Sequence, residues 1–241
     1  TAEDTAHRPP HLGRGRIDRL RDAIARLPAF PELAAEQGAR AARIPSHVAQ
    51  LFRVGESIGG FPPVGGNRAE LLPDSDATID ALVADMDAAR DHVHLLFYIW
   101  LADGNGLKVA EAAMRAARRG VTVRVMVDDL GSRLFLGSPH WPALAAAGVR
   151  TARALPIGNP LRPSSMGRID MRNHRKIVVI DDRITYCGSQ NCADPAFSIK
   201  AKYAPWVDAV IRFEGPIARQ NQSLFASDWM AHTGEDLGAL V

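Results

Sequence analysis

The sequence predicts an α/β domain built on a mixed, mostly parallel sheet with helices on both faces. Two patterns carry that expectation. From Arg68 onward, apolar runs of strand length alternate with segments whose apolar residues recur three and four apart, as in strand–helix–strand units. Two of the runs, His92 to Trp100 and Val121 to Val127, are almost continuously apolar, which suits strands covered on both faces. A chain of 241 residues, 46% hydrophobic and 23% charged, is long enough to bury such a core. The turn-rich stretch Gly59-Gly60-Phe61-Pro62-Pro63-Val64-Gly65-Gly66 separates the alternating region from what precedes it. Residues 1–57 are therefore expected to be a flexible leader and helical extension, and residues 58–241 the domain.

Residues 1–15 are rich in Pro, His, Arg and Gly without apolar periodicity, the composition of a leader. Ile17, Leu20, Ile24 and Leu27 recur at helical spacing and stop at Pro28. Pro31 to Ala42 reads as a second, Ala-rich helix, and Ser46 as the cap of a third running to about Phe52. These helices are expected to pack on the domain, with a partner or a membrane surface as the other possible neighbours. The glycine-rich stretch lacks the G-x-G-x-x-G order and the Lys-Ser/Thr of a phosphate-cradling loop.

Within the domain, Arg68 to Leu72 is the first strand. Ile79, Leu82, Val83 and Met86 form the apolar face of a helix starting near Ser75 or Asp76. Asp103-Gly104-Asn105-Gly106 turns the chain after His92–Trp100 into an Ala-rich helix through Arg119, closed by Gly120 before Val121–Val127. A helix near Pro142 to Ala147 and a strand at Val149 to Ala154 follow. Parallel sheets place sites at the carboxyl ends of their strands, so Tyr98, Asp128 and Asp129 are candidates to border a pocket, although each also has an ordinary structural reading. Leu155 to Asp170 reads as a surface loop over that pocket. A strand from Trp206 to Phe213 and a helix opened by Gly215-Pro216 and ending about Ala231 complete the chain. On that strand Asp208 shares a face with Trp206 and Val210, and a carboxylate so buried requires a partner.

The chemistry concentrates between the two last strand pairs, in Asn173-His174-Arg175-Lys176-Ile177-Val178-Val179-Ile180-Asp181 and Gly188-Ser189-Gln190-Asn191. Written as a pattern, this is H-x-K-x4-D, six residues, then G-S-x-N. Lys176 to Ile180 reads as a strand, Asp181-Asp182-Arg183 as its turn and Ile184 to Cys187 as the returning strand. Alternation then puts His174 with Lys176, and Ser189 with Asn191, toward one pocket. An imidazole, an ammonium, a hydroxyl and an amide in common suit a tetrahedral oxyanion, with the neutral imidazole placed to attack phosphorus. His92, His94, His140 and His232 are read instead as ordinary core or surface histidines.

The formal charge of +2 is too small to argue for nucleic acid, and no aromatic-interleaved basic stripe is present. Arg153, Arg162, Arg168, Arg172, Arg175 and Lys176 form a local basic run opposed only by Asp170, which suits an anionic substrate or a solvated loop. Cys187 and Cys192 cannot complete a zinc site and are expected to be unpaired thiols. The longest apolar stretch, Val93 to Ala102, is too short for a membrane span, and no signal-peptide pattern directs export. A start at Thr1 fits either Met removal or a segment cut from a longer chain.

The motif resembles that of the phospholipase D superfamily. His174, Lys176 and Asp181 with Gly188, Ser189 and Asn191 match its signature. The likeness continues through Asn67 to Leu72, Tyr98, Arg119 to Asp128, Arg172-Asn173, Asp194-Pro195, Trp206-Val207-Asp208 and Glu214-Gly215-Pro216. These look like the first catalytic half of bacterial cardiolipin synthases, over roughly residues 58–233. The resemblance implies a phosphohistidine mechanism without metal or other cofactor. It makes the catalytic set His174, Lys176, Asp181 and Asp208, with Asp181 a structural member and Asp208 the acid that hydrogen-bonds His174. His174, Lys176, Ser189 and Asn191 become the phosphate ligands. It implies an anionic phospholipid substrate, a membrane surface and, because only one motif is present, a second motif from another half of the same precursor or from a homodimer mate. Family synthases also carry membrane-inserting segments near their amino terminus, whereas no spanning helix is expected in this sequence. The placement implied is peripheral, on the cytoplasmic face of the bacterial inner membrane. A phospholipase or other phosphodiesterase, and a non-catalytic binding module, are the competing readings.

Overall fold

A computed structural model describes residues 42–157, 172–197, 205 and 207–240. The expected leader, both helices before residue 42 and most of the Leu155–Asp170 loop lie outside the described residues. The strands are β1 (Arg68–Leu71), β2 (His92–Phe97), β3 (Thr122–Asp128), β4 (Arg150–Ala154), β5 (Ile177–Ile180), β6 (Ile184–Gly188) and β7 (Val210–Glu214). The helices are α1 (Ala49–Gly59), α2 (Ser75–Ala88), α3 (Gly104–Arg118), α4 (Arg133–Leu136), α5 (His140–Ala146) and α6 (Ile217–Thr233).

The strands form one sheet in the order β1-β7-β6-β5-β2-β3-β4. It is mixed and flanked by helices, as predicted, but its parallel part is confined to β2, β3 and β4. The other four pairings among the described strands are antiparallel. The alternation in the first half of the chain indicates the parallel part; the motif hairpin and β7 then extend the sheet in the opposite sense.

Alternate residues of β2 feed two cores. Val93, Leu95 and Phe97 pack with Ile79, Leu82 and Met86 of α2 and Val109, Ala112 and Ala116 of α3. Leu96 packs with Met126, Ile177 and Val179 against Phe225 and Trp229 of α6. All six β2 residues are consequently buried, which explains the unbroken apolar run. His94 is buried on the α6 side, donating or accepting with Gln222 at 2.9 Å and with Arg124 at 3.1 Å, so it is a satisfied core histidine. Cys187 and Cys192 are free thiols.

Helix starts follow the sequence where a carboxylate is available. Asp74 accepts the Ala77 N–H at 2.8 Å to cap α2, and Asp103 accepts that of Gly106 at 3.0 Å to cap α3. Ser46 does not cap: Ser46–Val48 is a single 3₁₀ turn that leads into α1, and no side chain caps either. α1 runs past Phe52, through the boundary expected between residues 57 and 58, until Gly60 ends it with a left-handed φ of 74°.

The strand expected from Trp206 begins only at Val210. Its partner β6 ends at Gly188, opposite Val210, and then turns away, so the residues before Val210 lack a continuing ladder. Asp208 is thus a partly exposed loop residue rather than a carboxylate on a central strand, and Trp206 lies outside the described residues.

Asp181 ties the turn end of β5 to the start of β2. Its carboxylate accepts the backbone N–H groups of Arg90, Asp91 and His92, each at 2.9 Å. Burial pushes this carboxyl up, but the three donors outweigh it and hold it below its ordinary value. A depressed carboxylate contributes stability that is present above its unfolded value and lost as pH falls through the folded one. Asp181→Asn tolerates the φ of 50° at this turn and loses the charge; it is expected to cost about 1–2 kcal/mol at neutral pH. Urea titrations of the two proteins should converge only once pH has fallen through the depressed folded value, below the ordinary carboxylate range, where the parent carboxyl also protonates.

Candidate active site

The end of the sheet opposite the Asp181 turn carries a cleft of about 610 Å³ lined by Tyr98, His174, Lys176, Gly188, Ser189, Asn191 and Asp208, among others. Tyr98 and Ile99, at the carboxyl end of the parallel strand β2, form part of its lining, as the parallel part of the sheet predicts. The four phosphate-ligand candidates do meet there, although by a different route from strand alternation. β5 begins at Ile177 and β6 ends at Gly188. The chemistry-bearing residues therefore occupy the segments that enter β5 and leave β6.

Gly188 is required at this junction. A Cβ there would collide with the Ala209 carbonyl and stand 2.7 Å from the Val210 Cα, so only glycine lets β6 approach β7 and still release Ser189 into the cleft. The Ser189 N–H donates to the Ala209 carbonyl at 3.1 Å. Asn191 accepts the Ile99 N–H through Oδ1 at 3.2 Å, which leaves its amide group as the end available to an anion.

His174 is exposed, and its ring stacks on Tyr98 with centroids 3.8 Å apart at 28°. Desolvation and the charge of Lys176 hold its imidazole below the ordinary histidine value, with Asp128 pulling partly the other way. The ring is therefore neutral at physiological pH, the form that carries a free lone pair. Lys176 donates to the His174 carbonyl at 2.9 Å, and its Nζ lies 5.7 Å from the Tyr98 ring centroid. Burial lowers the ammonium's pKa, and Asp208 partly restores it.

Asp208 lines the same cleft, but its carboxylate accepts the Ser189 hydroxyl at 2.6 Å. Among the described residues it makes no hydrogen bond to His174. The Ala209 N–H also reaches Ser189 Oγ, at 3.2 Å, so the hydroxyl is held between the cleft and the loop before β7. Asp181 is not in the cleft; it is at the far end of β5.

Two buried carboxylates, whose partners sequence reasoning did not identify, fix the backbone that carries His174. Asp128 ends β3 and receives the Arg172 guanidinium through Nε at 3.1 Å and Nη2 at 2.9 Å, as well as the Leu130 and Gly131 N–H groups. Asp228 of α6 receives Arg175 at 2.7 Å and the Asn173 amide at 2.9 Å. The signal was available: a carboxylate at the end of an apolar strand and another on a buried helix face each need a cation, and unassigned arginines flank the motif. A half-buried carboxylate, Asp194, accepts the N–H groups of Gly104 and Asn105 and secures the start of α3 beside the cleft. Asp129, by contrast, accepts the Ile157 N–H and pairs with Arg153.

These pairings change the meaning of the basic run. Arg153, Arg172 and Arg175 are neutralised by Asp129, Asp128 and Asp228, and Arg162 and Arg168 lie outside the described residues. Among the described residues of the run, Lys176 is the cation without a carboxylate in an ion pair. Described residues contain no group of three or more His, Cys, Asp or Glu arranged for a metal, and no helix long and apolar enough to cross a membrane.

A mixed sheet with an imidazole, an ammonium, a hydroxyl and an amide at one end defines a phospholipase D-like enzyme domain. The solved fold of the phospholipase D family member Nuc from Salmonella typhimurium agrees, with a TM-score of 0.50 over 69% of this chain and 97% of Nuc at 16% identity. The chain belongs to the family described as "Cardiolipin synthase, PLD-like domain", whose profile matches residues 82–229. It is 36% identical over 233 residues to cardiolipin synthase A of Escherichia fergusonii, covering 93% of this chain and 46% of that protein. It is 43% identical over 192 residues to cardiolipin synthase A of Erwinia tasmaniensis, covering 78% and 39%. The chain thus spans less than half the length of these relatives.

Proposed function

We propose that this chain supplies one half of a two-motif phosphatidyltransferase site of cardiolipin synthase type, converting two phosphatidylglycerols into cardiolipin and glycerol. The observation that carries the reading is the convergence of His174, Lys176, Ser189 and Asn191 on one cleft, with His174 neutral and uncovered. An imidazole nitrogen of His174 attacks phosphorus, and the phosphorus–oxygen bond to the departing glycerol breaks. A histidine from a second motif gives that oxygen its proton. It then takes the proton of an incoming phosphatidylglycerol hydroxyl, whose oxygen attacks phosphorus as the phosphorus–nitrogen bond to His174 breaks. Lys176 and the Asn191 amide hold the non-bridging oxygens. As phosphate enters, the Ser189 hydroxyl turns its proton from Asp208 to a phosphate oxygen, and the released carboxylate orients His174.

The second motif comes from the other half of a longer chain in preference to a homodimer mate, in keeping with the share of its relatives that this chain spans. The protein works at the cytoplasmic face of the inner membrane. Hydrolysis is the second reading, favoured by the exposure of His174 to water. Both are tested by incubating the chain, alone and with a second half, with phosphatidylglycerol vesicles. Cardiolipin and glycerol are expected in the complete assembly. Phosphatidic acid without cardiolipin would identify a phospholipase, and no turnover in any assembly would leave a binding module.

A further inference from the structure

We propose that Tyr98 is the positioning residue of this site, its ring fixing the imidazole of His174 by stacking and drawing the Lys176 ammonium to the same aromatic surface. The inference rests on the reading of His174 as the nucleophile and says what aims it. No ring nitrogen of His174 has a hydrogen-bond partner among the described residues, and Asp208 is engaged with Ser189. The stack at 3.8 Å is the contact that orients the ring.

Tyr98 can do this because it is itself held. It follows β2 directly, and its carbonyl accepts the Ser132 hydroxyl at 3.1 Å. Gly131 lies beneath it: a Cβ there would collide with the Tyr98 carbonyl and stand 3.0 Å from ring carbon Cε2. The next residue, Ile99, donates to Asn191, so the segment that carries the phenol ring is tied by a hydrogen bond to a phosphate-ligand candidate. Among the described residues the Tyr98 hydroxyl makes no hydrogen bond, which assigns the role to the ring.

A stack suits this chemistry better than a hydrogen bond. It fixes the imidazole plane and leaves both edge nitrogens free, one for phosphorus and one for a proton. The π face also favours whichever protonation state is charged. The charged groups around His174 are Lys176 on the approach to β5, Asp128 at the end of β3, and Asp208 and Asp194 of the cleft lining, while Arg175 is tied to Asp228 of α6. Replacing the ring by an aliphatic side chain of similar bulk keeps the desolvation and Lys176 but takes the aromatic face from the imidazolium, so the His174 pKa should fall.

The test is proton NMR of the histidine-labelled chain without substrate, with the His174 Hε1 signal assigned by its loss in His174→Ala. In the parent the signal is expected upfield of an exposed histidine, displaced by the ring current. Tyr98→Leu should abolish the displacement and lower the His174 pKa by about half a unit, whereas Tyr98→Phe should preserve both. In a complete two-motif assembly, Tyr98→Leu should reduce kcat by about ten- to hundredfold with KM little changed, and Tyr98→Phe should restore it. A parent His174 signal at the exposed position overturns the inference without any variant having to fold. So does a Tyr98→Leu titration that superimposes on the parent. Because the NMR arm needs no turnover, its result stands apart from that of the transferase assay.

Discussion

Alanine at position 174 is expected to reduce formation of cardiolipin, or of any phosphodiester product, by about 10⁴-fold or more in the complete assembly. The side chain is exposed and makes no hydrogen bond among the described residues, so the fold should be unaffected and vesicle binding little changed. Initial rates with labelled phosphatidylglycerol, beside a sedimentation assay for vesicle binding, separate the two quantities. The pH dependence has a definite sign. Attack needs the neutral imidazole, so the rate falls as pH drops through the His174 value. Desolvation and Lys176 hold that value below the ordinary 6.5, and the acid limb of the parent profile should fall there. A His174→Ala enzyme with more than a few per cent of parental activity would refute the nucleophile assignment.

The largest effect on stability is expected at Asp128. Its side chain is fully buried, and that of Arg172 is 7% exposed. Asp128→Ala strands the guanidinium and uncaps the N–H groups of Leu130 and Gly131 at once. Removing one member of a buried pair costs about 3–5 kcal/mol, and the urea midpoint should fall accordingly. The double substitution Asp128→Leu with Arg172→Met should be less damaging than the sum of the single ones, since neither charge is left alone. Activity should still be lost in the double variant, because the Arg172-Asn173 backbone that aims His174 is no longer anchored. Additive losses of stability would mean that the two side chains act independently.

Much of this architecture is legible in the residues, and the misses have identifiable causes. The strand–helix periodicity locates β2 to β4 with α2 and α3, because each buries a face whose spacing is local, whereas β1, exposed along its whole length, is found from its place after the turn-rich stretch. The sense of strand pairing is not local: β5 reads equally well as a neighbour of β2 in either direction, so the antiparallel majority is invisible until the chain folds. β7 is expected to begin four residues before it does, because propensity cannot see that its partner ends at Gly188. The motif brought His174, Lys176, Ser189 and Asn191 together correctly, but strand alternation was the wrong reason. Their spacing from the two strand ends places them. Asp208 was expected to reach His174 and instead meets Ser189, a choice made by loop geometry that no spacing encodes. Tyr98 was a candidate only through its position after β2, since aromatic stacking on a residue 76 positions away leaves no periodic trace.

Strand β5 is fastened at both extremities, by Asp181 where it turns and by Asp128 and Asp228 where it begins. Mechanically it resembles a short beam clamped at each end, with buried residues along its whole length between. Such a beam neither slides in register nor tilts without breaking charge-assisted hydrogen bonds at one support or the other. Under the proposed mechanism, the displacement that phosphoryl transfer through His174 demands would therefore fall to torsions of the His174 and Ser189 side chains, over a platform that stays still.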